Sequence, residues 1–210
     1  MSEISSGFKV SIAYQYDSEA MWREVRHRSR TTVGKDDLDK PVSDEFKRTA
    51  LISQHSPIRE LRFAVSMKNI PTYVAQQYSR HRISIEGSTD FLAEDVNPHD
   101  CEHYVRTQRT DRTGHERPGQ DAPVNYDFTT NAQGLIDMSK KRLCAAADPM
   151  ARNIWKILKS EVALIEPVLA ELMAQPCVWY GFCNELRVKC GYCGSNAANL
   201  HRNRIIKMCG

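Results

Sequence analysis

Residues 55–82, HSPIRELRFAVSMKNIPTYVAQQYSRHR, contain a strand and a helix separated by a proline and end in a cationic triplet. The segment 59–67, RELRFAVSM, alternates apolar and polar residues, which is typical of a β-strand. Pro71 stands where the next helix is expected to begin, because its fixed φ suits a first helical turn. The stretch therefore predicts a strand followed by a helix that runs to about Arg82.

Strands and helices are also predicted on both sides of this stretch. FKVSIAY, residues 8–14, alternates as a strand does, and HYVRT forms a strand-like segment inside a long polar loop. Pro167 should kink a long amphipathic helix. Capping and periodicity predict helices over about 18–31, 44–54 and 128–144, and a longer one from Asp148 and Pro149. The predicted fold class is α+β, with helices flanking the strands and a helical C-terminal part.

The composition limits the classes of protein to consider. The 210 residues are 41% hydrophobic, enough for one sizeable core, and the net charge of +3 is too small to indicate a nucleic-acid platform. No apolar run is long enough for a membrane span, and the N-terminal residues do not resemble a secretory signal, so we expect a cytoplasmic protein. We expect a main domain over residues 1–175 and a Cys-rich tail over 176–210.

The triplet Arg80, His81 and Arg82 lies near a predicted helix C-terminus. Positive charge is favoured there by the helix dipole, so a solvated helix end is one interpretation. The other is an anion site, because adjacent guanidinium and imidazole groups can reach several phosphate oxygens. Gln77 lies one turn before Arg80 on the same face, where its amide could read a base edge or hold an arginine.

A second helical stripe contains Asn131, Leu135, Met138 and Arg142. Asn131 and Arg142 would lie about 16 Å apart along the helix. That separation suits the two ends of an extended ligand or two adjacent ligands. An ordinary polar helix face remains the alternative.

RHR at 80–82, followed by Ser84, Glu86 and Ser88, resembles the motif RHRxxSxNExSxRY of the flavin-dependent thymidylate synthases, the ThyX family. The stretch 55–82 and NAQGLIDMSKKRL at 131–143 follow in the order that the family has. The resemblance covers most of residues 8–165 and points to a divergent, phage-like branch. It implies a twisted, mostly antiparallel sheet with helices, and a homotetramer whose active sites are shared between subunits.

The family converts dUMP to dTMP. Methylenetetrahydrofolate donates the carbon, FADH2 supplies the hydride, and NADPH usually reduces the flavin. The resemblance therefore implies FAD, NADPH and methylenetetrahydrofolate as cofactors, with dUMP or a related pyrimidine nucleotide as substrate. It requires no protein nucleophile, and it implies neither a membrane nor a nucleic-acid partner.

The resemblance also implies roles for individual residues. Gln77 and Arg142 match residues that bind dUMP and are the candidate catalytic residues. Gln133 and Asp137 stand where the family has Arg and Asn. The residues that would contact FAD are Ser56, Arg80, His81, Arg82, Asn131, Gln133 and Asp137.

Two alignments are possible after the RHR triplet. The first uses Glu86 and Ser88 but places Asp90 where the family has a phosphate-binding arginine, and a carboxylate beside a phosphate is repulsive. The second uses Glu102, Tyr104 and Arg106 as substrate-binding residues and makes 86–101 an insertion. We prefer the second because phosphate binding needs a guanidinium. A solvated loop face at Arg106 stays open.

The C-terminal tail is rich in cysteine. The chain has seven cysteines, an odd number that does not indicate a disulfide framework. Cys190 and Cys193 have the spacing of a zinc or redox site, whereas Cys177 and Cys183 are spaced more widely. The family resemblance predicts no metal, whereas the spacing allows a zinc site at these four residues. A zinc site and free thiols are therefore both open.

The sequence thus predicts a ThyX-like enzyme that transfers a one-carbon unit to C5 of dUMP. The first alternative is a flavin-dependent methylase or hydroxymethylase of another pyrimidine nucleotide. The second is a non-catalytic, zinc-containing module that binds nucleic acid.

Overall fold

A computed structural model describes residues 7–31, 33–35, 41–79, 103–107, 120–186 and 189–209, and over 103–107 and at 209 it describes the backbone alone. The triplet 80–82, Glu102 and the proposed insertion 86–101 therefore lie outside the described residues.

The described strands form one antiparallel sheet. They are β1 (Lys9–Tyr14), β2 (Arg62–Pro71), β3 (His103–Thr107) and β4 (Pro123–Asn131). Their order across the sheet is β1-β2-β4-β3. The register of β2 against β4 shifts between Met67 and Ile70, where Asn69 has a φ of 61°. Asparagine tolerates this left-handed conformation better than most residues, so the bulge has a local cause in the sequence.

Helices make up most of the remaining described structure. They are α1 (Ser18–Thr31), α2 (Asp44–Ser53), α3 (Thr72–Ser79), α4 (Ala132–Arg142), α5 (Pro149–Ile165), α6 (Pro167–Leu172), α7 (Pro176–Tyr180) and α8 (Asn196–Cys209), with short 3-10 helices at Ser56–Glu60 and Tyr192–Gly194. The predicted α+β fold class, an antiparallel sheet with helices and a helical C-terminal part, is confirmed. Across the described residues, no helix combines the length and the apolar content that crossing a membrane requires.

The core lies on one face of the sheet. Alternate residues of the two central strands, Phe63 and Val65 in β2 and Tyr126 and Phe128 in β4, are buried. The helix α5 packs its apolar stripe into the same cluster, including Trp155. The period of two in the strands and of about 3.6 in the helix bring these side chains onto facing surfaces.

A buried carboxylate marks the junction of α5 and α6. The Oε1 atom of Glu166 accepts hydrogen bonds from Trp22 Nε1 at 3.0 Å and from the Tyr14 hydroxyl. Two donors offset the cost of removing this carboxylate from water. Burial and the Glu166 carboxylate raise the pKa of Tyr14, so its phenol stays protonated. The network ties β1 and α1 to the point where Pro167 interrupts the long helix.

The C-terminal helix packs on the rest of the molecule. In α8, His201 Nε2 lies 2.9 Å from the main-chain oxygen of Glu171 and 3.1 Å from its carboxylate. Burial lowers the pKa of His201. Val178 and Ile205 belong to the same hydrophobic cluster as the sheet. The proposed division of the chain at residues 175 and 176 stays a prediction.

Two predicted elements have different bounds in the structure, and the central strand β4 was not predicted. The strand expected over 59–67 begins only at Arg62, because Ser56–Glu60 forms a 3-10 helix, and it continues to Pro71. Pro71 therefore ends a strand and does not begin the helix. The helix expected over 128–144 begins at Ala132, because the preceding residues alternate between buried and partly exposed positions within β4.

Candidate functional site

Arg142 at the end of α4 reaches across to Gln77 in α3. Its Nη1 donates to the side-chain carbonyl of Gln77 at 3.1 Å, and its Nη2 donates to the main-chain carbonyl of Gln77. Its Cζ lies 5.6 Å from the ring centroid of Tyr78, within cation–π distance. The two predicted nucleotide-binding residues are thus in direct contact although 65 positions separate them.

A buried aromatic platform supports this contact. The Tyr78 hydroxyl donates to the main-chain oxygen of Ala151 at 2.6 Å, and its ring centroid lies 5.2 Å from that of Trp155. Trp155 Nε1 donates to Ser139 Oγ at 2.8 Å. Burial raises the pKa of Tyr78, and the Arg142 charge opposes that effect without reversing it. With their polar atoms paired, these residues hold α3, α4 and α5 in fixed relative positions.

The other end of α4 begins with Asn131. This residue is buried, and its Oδ1 accepts a hydrogen bond from the backbone nitrogen of Gly134 at 2.8 Å. Asn131 is therefore the N-cap of α4, which accounts for an asparagine here without any ligand. The predicted flavin contact of Asn131 stays a prediction, and its amide nitrogen is the donor that the residue could offer to a flavin.

Gln133 and Asp137 lie one turn apart on α4. Gln133 Nε2 donates to Asp137 Oδ2 at 3.1 Å and contacts Gln54 Oε1 at 3.4 Å. Lys140 Nζ lies 2.7 Å from Asp137 Oδ1. The structure brings the two predicted residues together and sets a cation beside the carboxylate, which reduces the repulsion that Asp137 would exert on an anion.

Ser56 lines an open cleft between α1 and the 3-10 helix Ser56–Glu60. Its volume is about 750 Å³, within the range of ligand pockets. Hydroxyl and imidazole groups are part of its lining. They belong to His27, Ser29, Thr31, His55 and Ser56.

The charged groups of the cleft are paired with one another. Arg28 Nε lies 2.8 Å from Glu24 Oε1 and 3.1 Å from Glu60 Oε1. Arg62 Nη2 also lies 3.9 Å from Glu60 Oε2, so two guanidiniums and two carboxylates form one ion-pair cluster. The described lining suits neutral hydrogen-bonding parts of a ligand. An anionic pyrophosphate would need basic side chains from another part of the chain.

The cleft adjoins the N-terminal end of α4. The backbone nitrogen of Ala132 donates to the oxygen of Leu61 at 3.0 Å, directly after the 3-10 helix. A helix of this length spans about 16 Å, and Arg142 stands at its far end. The described candidate residues therefore form two polar groups, one near each end of α4.

For some predicted site residues the structure describes the backbone alone. HYVRT forms β3, as predicted, with Tyr104 opposite Asp127 and Arg106 opposite Asn125 of β4. Their proposed contacts with a nucleotide stay predictions. The predicted flavin contacts of Arg80, His81 and Arg82 and the nucleotide contact of Glu102 concern residues outside the described part.

Sequence reasoning missed the α1 side of the cleft. His27 and Thr31 are four positions apart and so lie on one helix face. That signal was present in the sequence, but polar residues at this spacing are common on solvated helices. Only the packing of α1 against the Ser56–Glu60 helix makes this face part of a cleft.

The predicted tail cysteines line a second cleft, of about 320 Å³, together with Cys144. As the described side chains stand, no group of three or more His, Cys, Asp or Glu is arranged to hold a metal ion. Burial raises the pKa of Cys177 to about 11, so its thiol is protonated near neutral pH and is a poor nucleophile.

Comparison with known proteins supports the fold. No protein-family model matches the chain, and no curated protein matches it. The structure resembles the crystal structure of a UMP/dUMP methylase, PolB, from Streptomyces cacaoi bound with 5-Br dUMP. The TM-score is 0.52 at 12% sequence identity, and the match covers 80% of this chain and 98% of that chain. At this identity the likeness shows a shared fold.

Proposed function

We propose that the chain is a flavin-dependent methyltransferase that acts on C5 of dUMP and forms dTMP. The observation that carries the proposal is the contact between Arg142 and Gln77, on a fold shared with a UMP/dUMP methylase. The one-carbon donor would be methylenetetrahydrofolate, and NADPH would reduce the flavin. Glu102, Tyr104 and Arg106 would complete the nucleotide site, in a homotetramer of the kind that the ThyX resemblance implies.

Arg142 and Gln77 would orient the nucleotide. A guanidinium has five N–H donors and a permanent charge, which suits a phosphate. The bonds between Arg142 and Gln77 hold both side chains in place before the nucleotide arrives. The two side chains then lose less conformational freedom when the nucleotide binds, and they can hold the pyrimidine in one orientation toward the flavin.

The cleft at Ser56 would take neutral parts of FAD. Its hydroxyl and imidazole groups can bond to ribose and ring atoms, and its volume suits a bound cofactor. Because Arg28 is already paired with Glu24 and Glu60, the triplet 80–82 would bind the pyrophosphate. When bound, the reduced flavin would supply the hydride for the reaction.

The first experiment is a visible spectrum of the protein after incubation with FAD and desalting, before and after dUMP is added. Retained flavin absorbance that changes with dUMP is the expected result. A colourless protein would contradict the proposal. Arg80→Ala should lose the flavin, whereas Arg23→Ala, on the exposed surface of α1, should keep it.

The enzyme assay then follows product mass with dUMP, methylenetetrahydrofolate and NADPH. A gain of one methyl group on dUMP is expected. No product from a flavin-loaded protein would overturn the reaction while leaving the cofactor assignment in place.

A second candidate is a methylase or hydroxymethylase of another pyrimidine nucleotide. It is favoured by the fold neighbour, which is a methylase of both UMP and dUMP. Parallel binding and turnover measurements with UMP, dUMP, CMP and dCMP separate these substrates, and product mass separates methyl from hydroxymethyl transfer. The non-catalytic zinc-containing module predicts instead no flavin and a salt-dependent affinity for DNA.

A further inference from the structure

Five cysteines converge on one cleft from three separate segments of the chain. Cys144 lies between α4 and α5, Cys177 lies in α7, and the other three lie in the segment 181–195. They line a cleft of about 320 Å³. All five are free thiols. Five thiols from three separate segments in one cleft call for a common explanation.

These thiols are not ordinary core residues. A free cysteine is among the most buried residue types and usually packs as a small hydrophobic side chain. Here four of the five side chains are partly exposed and the fifth, Cys190, is exposed. None of the five belongs to the hydrophobic core. Apolar packing therefore does not explain why they lie together.

The segment 181–195, which carries three of them, adds little to the core, and among its described residues Tyr192 packs against the buried cluster. Between Val178 and Ala198, none of the described residues is buried. Two of its hydrogen bonds involve sulfur, from Cys193 Sγ to the Gly181 oxygen at 3.6 Å and from Cys144 Sγ to Glu185 Oε1 at 3.8 Å. Segments without an apolar core are commonly held by a metal or by disulfides.

We propose that this cleft binds one Zn²⁺ as a structural site with four thiolate ligands. Cys183, Cys190 and Cys193 supply three ligands, and Cys177 or Cys144 supplies the fourth. The donors are all sulfur, which favours zinc among the common divalent cations, and Cys190 and Cys193 have the two-residue spacing of structural zinc sites. The ion would join the α4–α5 turn or α7 to the segment 181–195.

The ligands have to move to reach the ion, because no three of the described side chains stand in a metal-binding arrangement. Each sulfur turns about χ1 alone, between staggered positions. Four thiolates around Zn²⁺ carry net negative charge, and the basic side chains of Arg152 and Lys156 line the same cleft. Binding releases the thiol protons to solvent and involves no change of oxidation state.

Metal analysis of the whole chain tests the proposal. Protein purified under reducing conditions, incubated with Zn²⁺ and desalted should retain about one zinc per chain, as a closed four-ligand site does. Cys190→Ser and Cys193→Ser should each lose it. Cys209→Ser in the last turn of α8 is the control, because it removes one thiol but none of the five in the cleft. Cys144→Ser and Cys177→Ser identify the fourth ligand.

A count of reactive thiols on the wild-type protein tests the same proposal without any variant, so it still applies if a variant does not fold. Zinc should protect four thiols from a thiol reagent, and Co²⁺ in its place should produce the sulfur-to-cobalt charge-transfer absorption. A zinc-free protein whose thiols all react equally with and without Zn²⁺ would overturn the proposal, as would disulfide bonds between these residues. Neither readout depends on flavin or nucleotide, so the result stands apart from the proposed enzyme activity.

Discussion

Arg142 is bonded to both carbonyl groups of Gln77, the side-chain amide and the main chain, so one guanidinium joins the end of α4 to α3. The contact fixes the position of two side chains that come from distant parts of the sequence. It also places a permanent positive charge over the Tyr78 ring, at 5.6 Å from the ring centroid.

Arg142→Ala should weaken dUMP binding by about 10- to 100-fold, since a charge-assisted hydrogen bond contributes about 1.5–3 kcal/mol. Flavin should stay bound, because the cleft at Ser56 lies near the other end of α4. Calorimetric titration with dUMP and flavin absorbance measure the two effects. Arg23→Ala is the control, because it removes a guanidinium from the exposed surface of α1. Unchanged dUMP affinity in Arg142→Ala would remove this residue from the site.

Two substitutions at Asn131 separate its structural role from its proposed flavin contact. Aspartate keeps the oxygen that accepts from Gly134 but replaces the amide nitrogen. Asn131→Asp should therefore keep the stability of α4 and lose flavin affinity. Asn131→Ala should lower the free energy of unfolding by about 0.5–2 kcal/mol through loss of the cap. Thermal unfolding and flavin titration give the two readouts, and normal flavin binding by Asn131→Asp would leave the residue a helix cap alone.

Ser56→Ala tests whether the α1 cleft binds flavin. Ser56 is exposed, so its removal should leave folding unchanged. One lost hydrogen bond should weaken flavin binding by about 3- to 10-fold. Ser53→Ala is matched to it, since Ser53 is also exposed and bonds the Ala50 oxygen within α2. Equal flavin affinities in the two variants would argue against this cleft.

Lys159 should give the protein a pH-dependent stability. Burial lowers the pKa of Lys159 to about 8, and the nearby Glu171 carboxylate opposes that effect only in part. Its ammonium donates to the Met173 oxygen at 2.8 Å. Between about pH 8 and pH 10 the unfolded chain keeps a proton that the folded chain releases, so the free energy of unfolding rises with pH, by up to about 3 kcal/mol.

Denaturant unfolding of Lys159→Met measures this contribution. The free energy of unfolding of the wild type minus that of the variant should grow with pH over that interval. Tyrosine and cysteine titrations are common to both proteins and cancel in this difference. Lys156→Met makes the same chemical change at an exposed position of α5 and should track the wild type. Parallel curves for wild type and Lys159→Met would show that the ammonium is not buried in solution.

Local signals predicted many of the elements. Asp148 caps α5 through the Ala151 nitrogen at 2.9 Å, and Ser43 caps α2 through the Phe46 nitrogen at 3.3 Å, as their positions in the sequence indicate. The predicted boundaries failed where two patterns meet. The run before Ala132 alternates apolar and polar residues as a strand does, and it pairs with β2, so the helix predicted over 128–144 began too early.

The sequence by itself determined the fold class, the caps of the main helices, the break at Pro167 and the identity of Gln77 and Arg142 as candidates. The caps and the break depend on single residues whose conformational preferences act locally, whereas Gln77, Arg142 and the antiparallel sheet were expected from the resemblance to the ThyX family. Only the tertiary structure decided that Arg142 donates hydrogen bonds to Gln77 and that α1 forms one side of the Ser56 cleft. It also decided that Cys144 lines the same cleft as the tail cysteines. Each is a contact between distant segments, and such contacts depend on how the core packs, which no local pattern records.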